Sequence, residues 1–559
     1  MGFIIQQISS LEKVRLTDHP DFEELSRTTL LRGERFSYQL AIFPDKMGAF
    51  RVSVDSVCRD WVKLYAVRNA VMDQPAFPDT VDPDYITREP GLMPDILMPL
   101  DAQNGAVQAN ADRACAVWVQ IDVPQEADAG EYAVSVRIRR VTEEEMTGSG
   151  KDVPAEEAVR TMQLRVLPMA LPPQKLRFTQ WFYADCIANA HRVEIYSEQH
   201  WALIDRYMAC AADIGINMLL LPVFTPPLDT MYGVQRPCVQ LVEIEKCGGT
   251  YRFGFSKLHR WIGLCKKNGI EAYEVSHLFS QWGMHFAPNI RGTENGEEKL
   301  LFGWHTPADS EDYLQFLSQL LPALVAELEA EGIREQTYFH ISDEPRPAHL
   351  ETYRRFAEFV RPLIGGCRRL DALSNYEFYE NGLLEIPVTA SNHIGPFLEH
   401  HLENQWVYYC VSQREQVSNR FLAMPSYRNR IMGLQMYRAH VKGFLQWGFN
   451  YYYSRCSGYP IDPYQTTSSD LAFPSGDPFT VYPGKDGPLL SLRALVFQEG
   501  LQDLRICCLL EQYIGREAVE KLIDAEAGME LRFDAYPKNS QYLLRLREKM
   551  TELLAGFCR

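Results

Sequence analysis

Nowhere in the 559-residue chain do about 18 apolar residues run together, so no membrane-spanning helix is expected. Residues Met1–Leu16 (MGFIIQQISSLEKVRL) lack a basic segment followed by an apolar core, so they do not read as a secretory signal and a cytoplasmic location is expected. The 13 cysteines are odd in number and scattered, with no CxxC pair, and Cys507 and Cys508 are neighbours that cannot form an ordinary disulfide. Reduced thiols fit this pattern. No long Lys/Arg run offsets the net charge of −17, which would repel a phosphate backbone and excludes nucleic acid as an expected partner. There is no GxGxxG, no Walker loop and no GxSxG elbow, so neither a nucleotide cofactor nor a serine nucleophile is expected. Metal binding is not expected either. HExxH is absent, no closed Cys/His set appears, and His400-His401 beside Glu399 and Glu403 lacks ligand spacing and reads as a polar surface helix.

What is present is a long, ordinarily globular sequence, enough for two or three domains. Residues 1–170 carry short alternating or apolar runs between turns: Phe36–Phe43, Trp61–Val67, Cys115–Val123, Tyr132–Ile138 and Thr161–Leu167. A β-sandwich is the natural architecture, with the polar stretch Val141–Val159 as a long hairpin loop. The proline-rich segment Leu167–Pro173 (LPMALPP) marks the boundary. From 171 to 487 eight short strands alternate with helical patterns: Phe178–Tyr183, Met218–Val223, Glu271–Ser276, Thr337–Ser342, Arg369–Ser374, Pro387–Ser391, Trp406–Cys410 and Phe444–Phe449. That rhythm predicts a central (β/α)8 TIM barrel with a parallel sheet. Val239–Phe253 reads as a hairpin inserted after the second strand. Residues 488–559 are mainly helical, with Leu489–Tyr513 and Tyr542–Ala555 clearest, and read as a C-terminal extension packed on the barrel.

The sharpest local feature is Thr337–Pro347 (TYFHISDEPRP). An apolar strand runs into two acids and is stopped by Pro345 and Pro347. The C-terminal ends of barrel strands form the active-site face, which would set Asp343 and Glu344 there. As an isolated turn, the pair would more simply cap the following helix; the strand-end position favours chemistry. Most glycosidases place two carboxylates on opposite sides of the sugar ring, whereas neighbouring acids suit the exceptional mechanism in which the substrate's 2-acetamido oxygen attacks the anomeric carbon. One acid then steadies the acetamido N–H and the other protonates the leaving oxygen.

Three blocks resemble glycoside hydrolase family 123, whose characterised members are β-N-acetylgalactosaminidases. They are Phe339–Pro345 (FHISDEP), Gly443–Tyr452 (GFLQWGFNYY), and Gly476–Gly484 (GDPFTVYPG) followed by Ser491–Arg505 (SLRALVFQEGLQDLR). The domain plan agrees, so the likeness spans nearly the whole chain. It departs from the family pattern at Gln446, where Arg is common, and at Tyr452, where Trp is common, which leaves a changed sugar pocket or a different aglycone open. Family 20 hexosaminidases also carry an adjacent Asp-Glu, but after His-x-Gly-Gly, which His340-Ile341-Ser342 does not match.

The resemblance implies an exo-acting retaining β-N-acetylgalactosaminidase working through an oxazoline intermediate. Asp343 would position the acetamido group and Glu344 would be the general acid/base. The expected partner is a glycan or glycoconjugate ending in N-acetylhexosamine. Substrate contacts are expected from His277, Asn375, Asn392, Trp447, Asn450 and Tyr482, which fall at strand ends or in the family blocks; each also has a plain reading as a core or loop residue. A β-N-acetylglucosaminidase and a non-catalytic glycan-binding barrel are the alternatives.

Overall fold

The structure is a computed structural model describing residues 2–100, 105–142, 145 and 155–558. The expected hairpin loop at Val141–Val159 therefore lies largely outside the described residues, which omit 143–144 and 146–154. The chain forms two compact units: residues 1–174, 418–438 and 489–559, and residues 175–417 and 439–488.

The first unit contains two five-stranded sheets. One runs Phe3–Ser9, Arg35–Pro44, Cys115–Asp122, Val62–Met72 and Gly91–Pro99 in spatial order; the other runs Arg27–Arg32, Glu157–Ala170, Gly130–Arg140, Gly48–Asp55 and Ala106–Ala109. Both feed one core. Leu40, Val117 and Val119 enter it from the first sheet, and Val134, Val136, Ile138 and Leu164 from the second. Along Gly130–Arg140 the buried Val134, Val136 and Ile138 alternate with less buried Ser135, Arg137 and Arg139. Burying each such side chain contributes about 1.5–3 kcal/mol, and a one-residue slip would turn all three outward. Five of these strands, including Gly91–Pro99, escaped the sequence reading. Gly91–Pro99 carries Pro94 and Pro99 and is an edge strand, where missing N–H donors are tolerated.

The C-terminal helices Leu492–Ile514, Arg516–Ala527 and Ser540–Gly556 belong to this first unit, whereas the sequence led us to expect them with the barrel. Leu492–Ile514 is buried nearly all round, so its apolar pattern could not say what covers it. Buried ion pairs explain the polar residues of the third family block. Arg493 binds Asp95 at 2.9 and 3.0 Å, and Arg430 binds Asp503 at 2.7 and 3.1 Å and Glu499 at 2.9 Å. The expected helix Tyr427–Val441 is interrupted, as Tyr427–Arg430 and Met432–Arg438, and also falls in this unit.

The second unit is built on a closed barrel of eight parallel strands: Arg177–Gln180, Met218–Leu221, Ala272–Val275, Thr337–Phe339, Arg368–Ala372, Ile386–Ala390, Trp406–Tyr408 and Gly443–Gln446, the last pairing with the first. All eight overlap the strands read from the sequence. The first three connections after a strand carry long helices, Glu198–Asp213, Ser256–Lys267 and Glu311–Ala330. Those after the fifth and sixth strands hold only Glu377–Glu380 and Gly395–Glu399, so the expected regular β/α alternation thins there. The inserted hairpin is Glu243–Cys247 with Thr250–Gly254, and it joins a second hairpin, Ile290–Glu294 with Glu297–Phe302, in a four-stranded sheet.

Candidate active site

Asp343 and Glu344 lie four and five residues beyond Phe339, the last residue of the fourth strand, and both line one pocket. Other barrel strand ends supply Trp181, Ala372, Tyr408 and Trp447 to the same pocket, while Asp229, Gln281, Trp282 and Phe473 come from the connecting loops. Apolar surface therefore surrounds a small set of acids, the general form of a small-ligand site.

The backbone around the acids is strained and cross-tied. Glu344, Asp229, Trp282 and Cys456 hold φ of 45°, 40°, 57° and 56°, a region that costs ordinary residues energy and persists only where the surroundings enforce it. The Trp282 N–H donates to the Asp343 carbonyl at 3.2 Å, the Glu344 N–H to the Ala372 carbonyl at 3.1 Å, and the Asp229 N–H to Gln281 Oε1 at 2.8 Å. These bonds fix the loops against one another.

The two carboxyls have different surroundings. Tyr408 donates its hydroxyl to Glu344 Oε1 at 2.7 Å. Burial and then the Glu344 charge hold that hydroxyl protonated well above its usual range, so Tyr408 remains a donor. Burial, and next the adjacent Glu344 charge, push Asp343 well above the usual carboxylate range, with the His340 charge opposing.

Beneath the pair lies a buried polar network. His340 reaches Glu274 Oε2 at 2.9 Å and Asp371 Oδ1 at 3.1 Å. Burial alone would disfavour its cation, but hydrogen bonds and charges from Asp371 and Glu274 outweigh it and push His340 up to about 9. Thr179 and Trp181 also donate to Glu274, Trp181 at 3.1 Å. Asp371 further accepts the Tyr353 hydroxyl at 2.6 Å and the Ile341 N–H at 3.1 Å, so it holds the segment leading into Asp343. His277, His340 and Asp371 come near enough to suggest a metal triad. Their chemistry does not fit one. Both His340 nitrogens are committed to carboxylates, and the His277 and His340 rings stack at 4.2 Å and 18°, so their in-plane lone pairs do not converge.

Among the six expected substrate contacts, only Trp447 lines the pocket with the acids. Its indole N–H donates to Asp477 Oδ2 at 2.8 Å, and its carbonyl accepts the Tyr183 hydroxyl at 2.9 Å. His277 is fully buried against Trp181, with neither ring nitrogen bonded among the described residues and burial driving its imidazole well below the usual range. Asn450 is also fully buried and clamps the Tyr183 backbone through its N–H and carbonyl at 2.9 and 3.0 Å. Tyr482 is buried against Phe479 and Tyr464. Asn375 caps a short turn by accepting from the Glu377 N–H at 3.0 Å, and exposed Asn392 accepts from Gln413 at 2.7 Å. These five lie outside the pocket lining.

Sequence reasoning missed Asp229, Gln281, Trp282 and Tyr408. The first three sit on loops with no periodic pattern, and only Tyr408, at the end of an apolar strand, carried a usable signal. The network beneath left clearer traces. Glu274 and Asp371 are charges inside buried strands, which require a partner. The second and third family blocks pack on one another here. Gln446 Nε2 bonds Asp477 Oδ1 at 3.2 Å, and a Cβ on Gly448 would sit 2.1 Å from the Pro478 carbonyl oxygen.

A closed barrel with adjacent acids at its strand ends, walled by indoles, defines a carbohydrate-cleaving class of enzyme. The chain belongs to glycoside hydrolase family 123: the family description "Glycoside hydrolase 123, catalytic domain" matches residues 181–510. It is a glycoside hydrolase. Among solved structures, a family 123 glycoside hydrolase from Clostridium perfringens, studied for glycolipid glycan hydrolysis, is similar over 100% of this chain and 99% of its own, with TM-score 0.74 and 15% identity. At that identity the likeness is one of fold. An FMN-binding β-glucuronidase from Facaelibacterium prausnitzii L2-6 (8% identity, 85% of this chain and 59% of that, TM-score 0.31) and a family 5 mannosidase from Rhizomucor miehei (10%, 60% and 94%, TM-score 0.32) are too distant to carry an argument. No curated protein matches the chain.

Proposed function

We propose that this glycoside hydrolase is an exo-acting, retaining β-N-acetylgalactosaminidase using substrate-assisted catalysis. The observation that carries the reading is the adjacent Asp343-Glu344 pair in one pocket, its backbone tied to Trp282 and Ala372 and its Glu344 carboxyl bonded by the Tyr408 hydroxyl. Acids on one side of a sugar ring do not suit the usual nucleophile and acid arrangement. They suit an acetamido oxygen attacking the anomeric carbon while its N–H is held by Asp343. Glu344 then gives its proton to the leaving oxygen and, with the oxazoline formed, takes one from the attacking water. The Tyr408 hydroxyl orients Glu344 for both steps. Trp447, steadied by Asp477, supplies an apolar wall for the acetamido methyl group, and Trp181, only 3% exposed, closes the pocket in a way that favours a terminal sugar. The eight parallel strands and their intervening helices support a (β/α)8 reading of the barrel, whose strand C-termini carry such sites. The Clostridium perfringens relative makes a glycolipid or similar glycoconjugate the natural class of aglycone to try.

The test compares 4-nitrophenyl β-N-acetylgalactosaminide with the gluco epimer and an acetamido-free analogue. Release from the galacto substrate, absent without the acetamido group, is expected. Preference for the gluco epimer would reassign the sugar, and equal turnover of the acetamido-free analogue would overturn the mechanism. Glu344→Gln should lose about 100-fold or more on poor leaving groups but far less on activated aryl glycosides, which need little protonation. Equal losses on both would remove Glu344 from the acid role.

A further inference from the structure

Besides the two acids assigned to chemistry, the pocket holds a third, Asp229, in the loop after the second strand. Its anchoring is unusually complete. Asp229 Oδ2 accepts the Tyr451 hydroxyl at 2.7 Å and the Cys456 N–H at 2.9 Å, and its carbonyl accepts the Ser457 hydroxyl at 2.8 Å. Its own N–H donates to Gln281 Oε1 at 2.8 Å. The residue is held at φ 40°, in the left-handed region. Strain enforced by this many contacts marks a position where the side chain's placement matters.

Two polar atoms of this cluster have no protein partner among the described residues. Asp229 Oδ1 has none, and Gln281 Nε2 is buried with none, the Gln281 side as a whole being 8% exposed. The amide orientation is set by the bond from the Asp229 N–H, which requires Oε1 at that end and leaves the NH2 group free. An unpaired buried donor is costly, and this one belongs to a residue that lines the pocket, where a ligand can satisfy it. The pair thus offers one acceptor and one donor, joined through their own hydrogen bond, on the wall of the pocket that holds Asp343 and Glu344.

We infer that Asp229 and Gln281 form the hydroxyl-recognition site of the sugar pocket, with a ring hydroxyl donating to Asp229 Oδ1 and accepting from Gln281 Nε2. A hydroxyl is the group on a neutral sugar that does both at one atom. The pair is a specificity determinant, since a site built to bond a hydroxyl discriminates strongly against a substrate that lacks it. This inference rests on the glycosidase reading of the same pocket.

The experiment measures kcat/KM for the enzyme, Asp229→Asn and Gln281→Ala on 4-nitrophenyl β-N-acetylgalactosaminide and its 3-, 4- and 6-deoxy analogues. Asparagine tolerates the left-handed conformation, so Asp229→Asn keeps the loop. The unaltered enzyme should lose about 100-fold on one deoxy analogue. Each variant should lose a similar factor on the parent glycoside yet little more on that analogue, because the bond is already gone. A merely structural role would lower all four substrates by one factor, and that result overturns the inference while leaving the glycosidase reading intact. Failure of the unaltered enzyme to turn over any of the four would overturn both together.

Discussion

At the scale of single residues, His340 shows how a buried charge ties the site to pH. Its ordinary value is 6.5 and the fold moves it to about 9, the two carboxylates overcoming burial. The unfolded chain sheds this proton near 6.5, so between there and about 9 the folded protein holds a proton the unfolded one lacks. Stabilisation from the imidazolium is therefore complete below about 6.5 and is lost as the pH rises through about 9, an effect on the order of 3 kcal/mol. Urea unfolding at pH 6.5 and pH 9.5 should show that decline, and His340→Gln should flatten it. A slope unchanged by the substitution would place the charge elsewhere. Of the acids in this region, Asp343 and Glu344 were readable because an apolar strand delivers them to a known kind of face. Asp229 was not, because its role depends on Tyr451, Cys456 and Gln281, which are 52 to 227 positions away in sequence.

At the scale of elements, the family blocks turn out to have two kinds of cause. Trp447 lines the pocket, held from behind by Asp477, which Gln446 also bonds. Arg493, Glu499, Gly500 and Asp503 instead belong to helix packing in the first unit, far from any chemistry in their contacts. A Cβ on Gly433 would lie 1.8 Å from the Gly500 carbonyl oxygen, so the helix Met432–Arg438 meets Leu492–Ile514 backbone to backbone. Gly433→Ala is expected to cost at least about 2–3 kcal/mol through overpacking against an atom that cannot move alone. Chemical denaturation measures it; a change below about 0.5 kcal/mol would mean the contact is looser than the geometry states. The eight barrel strands were legible because short segments rich in apolar, β-branched and aromatic residues recur between turns and helical patterns, even where a polar residue interrupts them. The missed strands of the sheet unit carry Gly, Pro or polar residues at their edges, which local pattern alone reads as loop.

At the scale of the whole molecule, thirteen cysteines form no disulfide, and buried examples such as Cys186, Cys265 and Cys507 pack as small apolar groups. Burial pushes all three thiols well above the usual cysteine range, which suppresses the reactive thiolate. The thermal transition is therefore expected to be the same with and without dithiothreitol. A drop of several degrees on reduction would reveal a cross-link contrary to this geometry.

The sequence by itself determined the strand count of the barrel and the place of Asp343-Glu344 beyond its fourth strand, because periodicity, turn residues and proline stops act over a few neighbouring positions. It also carried, through its motifs, the family to which the chain belongs. The tertiary structure alone decided that the C-terminal helices join the sheet unit, that His277 and Asn450 are interior residues, and that Asp229, Gln281 and Tyr408 share one pocket with Asp343 and Glu344. Those outcomes depend on which apolar face finds which partner and on hydrogen bonds closed across long loops, and no local pattern encodes either.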